Sequence, residues 1–195
     1  STLHYRKLHF HDYSTAFKAK IKYNAAHKSF NIVFKPRSGD KLPTISGGKL
    51  KDRYVFAQLH LHWGVVDNRH HATEHQLGDR KYAGELHLVH YNTKYKDIAE
   101  AVEEKDGIAV LAFFLHRSNC HQENRAWAPI LSSLDSVAGS RDDEEVKIGK
   151  LKLSDLLPSP KPKNYYLYRN TKDNNTSFLL IGCYLPLFLM GGGGF

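Results

Sequence analysis

Residues 54–63 read Tyr54-Val55-Phe56-Ala57-Gln58-Leu59-His60-Leu61-His62-Trp63. In an extended chain successive side chains point to opposite faces, so residues two apart share a face. Ala57, Leu59, Leu61 and Trp63 then make one apolar face that must pack, and Gln58, His60 and His62 make the other. This pattern predicts a strand. Two imidazoles at i and i+2 can converge on one ion. Residues 82–92, Tyr82-Ala83-Gly84-Glu85-Leu86-His87-Leu88-Val89-His90-Tyr91-Asn92, read as a second strand on which Glu85, His87 and Val89 share a face. If the two strands are neighbours, His87 completes a set of three. Three neutral imidazoles with one open position are the ligands of a catalytic zinc ion. A ligating histidine donates its other ring N–H to an acceptor, and Gln58 and Glu85 each stand two residues before a histidine on the same face. His90 falls opposite His87 and reads as structural.

Outward from these strands the chain is ordinary globular sequence. It has 195 residues, 41% hydrophobic and 25% charged, which fits one domain and excludes wholesale disorder. Its 13 histidines are unevenly spread, with His60, His62, His70, His71, His75, His87 and His90 in one stretch. The net charge is +8, yet the lysines are dispersed and no aromatic platform interleaves with them, so no nucleic-acid partner is expected. The apolar run Phe178–Met190 contains Gly182 and Pro186 and is too short to span a bilayer as a helix, so no membrane span is expected. Cys120 and Cys183 cannot build a disulfide framework, and they leave compartment and oligomeric state open.

Stretches of 16–34 alternate as strands, and 36–48 is turn-rich. Residues 67–79 read as a polar loop, and 95–104 as a short helix. Ile108–Leu115 reads as a buried central strand, and 125–138 as a helix ended by Gly139. The fold class is mainly β with short helices (α+β), in a single twisted, mostly antiparallel sheet. His71-Ala72-Thr73-Glu74-His75 fits the H-x-x-E-H zinc protease pattern, but that motif needs a helix and this segment sits in the polar loop.

Gln58-Leu59-His60-Leu61-His62-Trp63-Gly64, Glu74-His75, and 82–92 together resemble the alpha-class carbonic anhydrases. Asn92-Thr93-Lys94-Tyr95, Asp106-Gly107-Ile108-Ala109-Val110-Leu111 and Leu156-Leu157-Pro158 extend the resemblance. It implies a zinc enzyme for the reversible hydration of carbon dioxide to bicarbonate and a proton by zinc-bound hydroxide. It also implies zinc ligands His60, His62 and His87, with Gln58 and Glu85 orienting them. Val89, Ile108 and Val110 become the apolar wall for carbon dioxide, and Glu74 the gatekeeper carboxylate. The family's shuttle histidine aligns with Lys28, one residue from His27, which makes His27 the candidate shuttle.

The resemblance also has departures. Where the family carries Thr-Thr-Pro-Pro after the Tyr168 region, this chain reads Asn170-Thr171-Lys172-Asp173-Asn174-Asn175. The chain therefore reads as a partial domain over 1–169, incomplete at both ends, with a divergent, poorly ordered tail over 170–195. A core strand that the family carries beyond that point is also absent, which is expected to leave a sheet edge or core face open. Gly182 and Pro186 make Leu179–Leu189 a poor central strand. Catalysis is then expected to be impaired, and the alternative is a non-catalytic carbonic-anhydrase-related zinc-binding protein.

Overall fold

The computed structural model describes residues 7–24, 29–63, 75, 82, 84–117, 125–138, 144–157, 166–169 and 176–187. The backbone forms β1 (Leu8–His11), β2 (Phe17–Asn24), β3 (Ser29–Lys35), β4 (Thr44–Gly47) and β5 (Tyr54–Trp63). It continues through β6 (Gly84–Asn92), β7 (Ile108–Arg117), β8 (Val146–Leu151), β9 (Tyr166–Arg169) and β10 (Thr176–Leu187). These strands make one sheet in the order β8-β2-β3-β5-β6-β7-β10-β9, with β4 joining β1 to β5. Each described pairing is antiparallel except that of β10 with β7. The helices are short: α1 (Ile98–Ala101), α2 (Ala128–Leu131), α3 (Leu134–Ala138) and α4 (Leu153–Leu156). The expected class, mainly β with short helices, is the one observed. Among the described residues no helix is long and apolar enough to cross a membrane.

The alternation of β5 and β6 divides the sheet into two unlike faces. Leu59, Leu61, Leu86 and Leu88 turn to one face and are buried with Leu111 and Phe113 of β7. Trp127, Ile130, Val137, Leu153 and Leu156 from the helical segments complete this core. The other face carries His60, His87 and a smaller cluster of Val89, Ile108, Val110 and Ala101. The register breaks between Phe56 and Gln58, where Phe56 pairs with His90 and Gln58 with Val89. Ala57 is thus the extra residue of a bulge, and it reverses the alternation. Phe56 joins the main core instead of sharing a face with Gln58, and Ala57 is only half-buried.

His90 lies wholly inside that core. Tyr13 O–H donates to its Nε2 at 2.7 Å, and its Nδ1–H donates to the carbonyl of Leu88 at 3.0 Å. Burial is the main influence on its pKa and holds it down at about 3, against 6.5 ordinarily, although backbone hydrogen bonding at Leu88 and Ala109 acts the other way. The unfolded chain takes up this proton below about pH 6.5 and the folded chain does not, so stability falls as pH drops from there towards 3. The expected slope from this one group is about 1.4 kcal/mol per pH unit. Urea midpoints at pH 7, 6 and 5 check it, and His90→Asn should flatten the fall by one proton's worth.

Gly107 is required by close approach, since a Cβ there would lie 1.6 Å from the Ala101 carbonyl oxygen. It lets the turn after α1 fold onto the start of β7. Asp97 begins α1 by accepting the Glu100 N–H at 3.0 Å. The helix expected over 125–138 is broken into a 3₁₀ turn, Arg125–Trp127, then α2 and α3. Pro129 supplies no N–H, and Ser133 Oγ donates back to the Pro129 carbonyl at 2.8 Å, which competes with helix continuation.

The tail expected to be poorly ordered contributes β10, which pairs along β7 from Thr176 opposite Ile108 to Leu187 opposite Arg117. The side of β7 away from β6 is thereby paired. Two local features accommodate the unfavourable residues. The register shifts between Ile181 and Tyr184, so Gly182 and Cys183 fall in an irregularity of the ladder. The antiparallel strand β9 pairs only with Ser177–Leu180, so Pro186 lies where β10 has one described neighbour, as proline requires.

Candidate metal centre

The register of β5 on β6 places His60 directly opposite His87 and His62 opposite Glu85. The three imidazoles meet with ring centroids 5.1 Å apart for His60–His62, 5.0 Å for His60–His87 and 4.7 Å for His62–His87. One ring nitrogen from each lies within 4.8 Å of the others, so the three could hold a metal ion. His87 is buried, and His60 and His62 are half-buried.

Glu85 determines which nitrogen of His87 is available. Its carboxylate is 0% exposed and receives three donors: His87 Nε2–H at 2.8 Å, the His75 backbone N–H at 3.0 Å, and His75 Nδ1–H. Burial alone would raise the pKa of this carboxyl. The hydrogen bonds and charge interactions with His75 and His87 outweigh burial and bring it down to about 2. An ionised carboxylate only accepts, so both histidines must present N–H to it. The proton of neutral His87 therefore sits on Nε2, and Nδ1 keeps its lone pair. That Nδ1 lies 3.1 Å from His60 Nε2. A tetrahedral zinc ion with Zn–N of about 2.0–2.1 Å sets neighbouring nitrogens about 3.4 Å apart, so this pair needs only a small opening to accept one. The donor set of three imidazoles also suits zinc.

His75, Glu85 and His87 form a second group with metal-ligand atoms close together. They are already joined by direct hydrogen bonds, which leave no space for an ion between them. Glu85 thereby orients both His75 and His87. By sequence His75 belongs only to the polar loop. Its role depends on a contact across ten residues, and the one available signal was its position beside Glu74 in a motif that matched the family. His75 lies in neither helix nor strand, so the helical context of the protease pattern is absent at that residue.

The remaining expected site residues divide clearly. Val89 and Val110 face each other in register across β6 and β7, and with Ile108 they form one buried apolar cluster two residues along the strand from His87. Gln58 pairs with Val89 and lies half-buried on the face that carries His60. Glu74 and His27 lie outside the described residues, as do His70 and His71.

The model of the eukaryotic-type carbonic anhydrase family matches residues 1–171. Carbonic anhydrase 3 of Homo sapiens is 37% identical over 127 residues, covering 65% of this chain and 45% of that protein. Carbonic anhydrase 1 of Oryctolagus cuniculus is 32% identical over 136 residues, covering 61% and 56%. Carbonic anhydrase 1 of Mus musculus is 34% identical over 142 residues, covering 72% and 51%. The chain spans about half the length of the curated relatives that it matches. With the match extending over most of its length, the chain belongs to the eukaryotic-type carbonic anhydrase family.

Proposed function

We propose that this chain binds zinc through His60, His62 and His87 and catalyses the reversible hydration of carbon dioxide to bicarbonate and a proton. The observation that carries this reading is the orientation of His87: Glu85 takes its Nε2–H, and its Nδ1 is left facing His60 beside an apolar wall. Bound zinc acidifies water to a pKa of about 7 and so supplies a nucleophile at neutral pH.

The chain's own residues supply binding and orientation. Glu85 holds the His87 ring by its Nε2–H and so turns Nδ1 towards His60. Val89, Ile108 and Val110 offer a dry surface for a small apolar molecule, two residues or about 7 Å along the strand from His87. They exclude water from the side on which carbon dioxide would rest. By resemblance, Gln58 orients a second ligand ring, Glu74 acts as the gatekeeper carboxylate, and His27 carries the released proton, since an imidazole titrates near neutrality. The substitution of Asn170–Asn175 for the family's Thr-Thr-Pro-Pro favours a second reading, in which zinc is bound and turnover is weak or absent.

Stopped-flow hydration of carbon dioxide by the zinc-loaded chain separates the two readings. The first predicts a rate above buffer that disappears in His62→Ala. Zinc bound at full occupancy with no rate above buffer leaves only the non-catalytic reading.

A further inference from the structure

The face that carries the histidines also holds an open cleft of about 410 Å³, built around Val55 and Tyr91. These two residues pair across β5 and β6. The bulge at Ala57 brings Val55 onto this face, so the cleft depends on that irregularity. Tyr91 is four residues from His87 along β6, about 14 Å at a rise of ~3.4 Å per residue, so the cleft is separate from the histidine cluster.

Its lining is amphipathic. Leu42, Val55 and the rings of Tyr91 and Tyr95 provide apolar surface, and Tyr91 and Tyr95 are themselves packed on the Val89–Ile108 cluster. Lys41, Arg53 and Lys96 bring three positive charges from three different loops, against the single carboxylate of Asp12. No carboxylate among the described residues lies within ion-pair distance of those three cations. Glu100 accepts the Lys96 backbone N–H at 2.9 Å, and three other neighbouring acids are engaged elsewhere. Asp52 accepts from Asn92 Nδ2 at 2.9 Å, and Asp97 caps α1. Asp106 accepts from Lys94 at 2.6 Å and from the Tyr95 hydroxyl at 2.7 Å. Thr44 and Thr93 add hydroxyls to the wall, and Arg53 Nη1 lies 3.4 Å from Thr44 Oγ1 with its other N–H groups available.

We propose that this cleft is a binding site for a small organic oxyanion, a carboxylate or phosphate monoester carried on an apolar body. The guanidinium of Arg53 suits a planar or tetrahedral oxyanion through paired N–H donors, and the two lysines supply point charges. The tyrosines and Leu42 take the body of the ligand, and the volume falls in the range of small-molecule sites. The inference stands apart from zinc binding and from hydration.

The test titrates the full chain with benzoate and with phenyl phosphate and follows backbone amides by NMR. Inorganic phosphate and benzyl alcohol serve as the charge-only and body-only probes. The expected result is saturable shifts at Thr44, Arg53, Thr93 and Tyr95 for at least one aromatic anion, with little change at His60 and His87. Arg53→Gln is expected to weaken that binding about tenfold. Lys41→Gln and Lys96→Gln, both at exposed positions with no role in the core, should each weaken it without altering the melting temperature. Preference for benzoate over phenyl phosphate, or the reverse, assigns the anion. No saturable shift with either anion overturns the proposal. Equal binding of benzyl alcohol, or of inorganic phosphate, does so as well, because the first makes the charges irrelevant and the second makes the apolar wall irrelevant.

Discussion

Glu85→Ala should lower the free energy of unfolding by about 3 kcal/mol or more and weaken zinc binding by about 10–100-fold. The buried carboxylate is the shared acceptor for His75 N–H, His75 Nδ1–H and His87 Nε2–H, and alanine leaves all three donors without it. Each buried donor left unsatisfied costs about 1–3 kcal/mol, and the His87 ring loses the contact that fixes its tautomer. Glu85→Gln keeps the shape but turns an –NH2 group towards the donors, so it should retain part of the stability and little of the ligand orientation. Urea denaturation reads the first effect and competitive zinc titration the second. Acid denaturation reports on the same carboxylate. The Glu85 carboxyl is held at about 2 in the folded chain, against 4.5 ordinarily, so its contribution is complete above pH 4.5 and is lost as pH falls towards 2.

The second large effect is expected in β10. Ser177–Leu180 pairs with β7 on one side and with β9 on the other, so the Leu179 N–H belongs to a ladder whichever way it points. Leu179→Pro removes that donor and introduces a ring inside a doubly paired segment, at an expected cost of about 3 kcal/mol or more. The natural Pro186 is tolerated because β10 has one described neighbour there. Thermal unfolding checks the difference. Leu187→Pro, further along the singly paired end, should cost much less than Leu179→Pro.

The clustering of His60, His62 and His87 was legible because its information is local. His60 and His62 share a face by alternation, and the Glu85-x-His87 spacing repeats the same logic on the neighbouring strand. What alternation could not reveal was the bulge at Ala57, which reverses the faces upstream and creates the Val55–Tyr91 pair. Nothing in Phe56-Ala57-Gln58 marks it, and it shows only in the register of β5 on β6. The helix over 125–138 had the right apolar spacing, but Pro129 and the two serines after Leu131 divide it. β4 was hidden in a stretch whose glycines and prolines read as turns.

Residue types alone do not reveal β10. Gly182 and Pro186 are poor in a strand paired on both sides, but the ladder irregularity and the short reach of β9 remove that objection. The roles of Tyr13 and His75 depend on contacts across 77 and 10 residues, which no pattern within a single strand encodes.

His60, His62 and His87 are proposed to form one zinc site. Metal analysis of the refolded, dialysed full chain tests it most directly. The expected result is about one zinc per chain, lost in His62→Ala and retained in His90→Asn, whose histidine lies on the opposite face. A correctly folded chain that takes up no zinc, or that keeps its zinc in His62→Ala, would contradict the account.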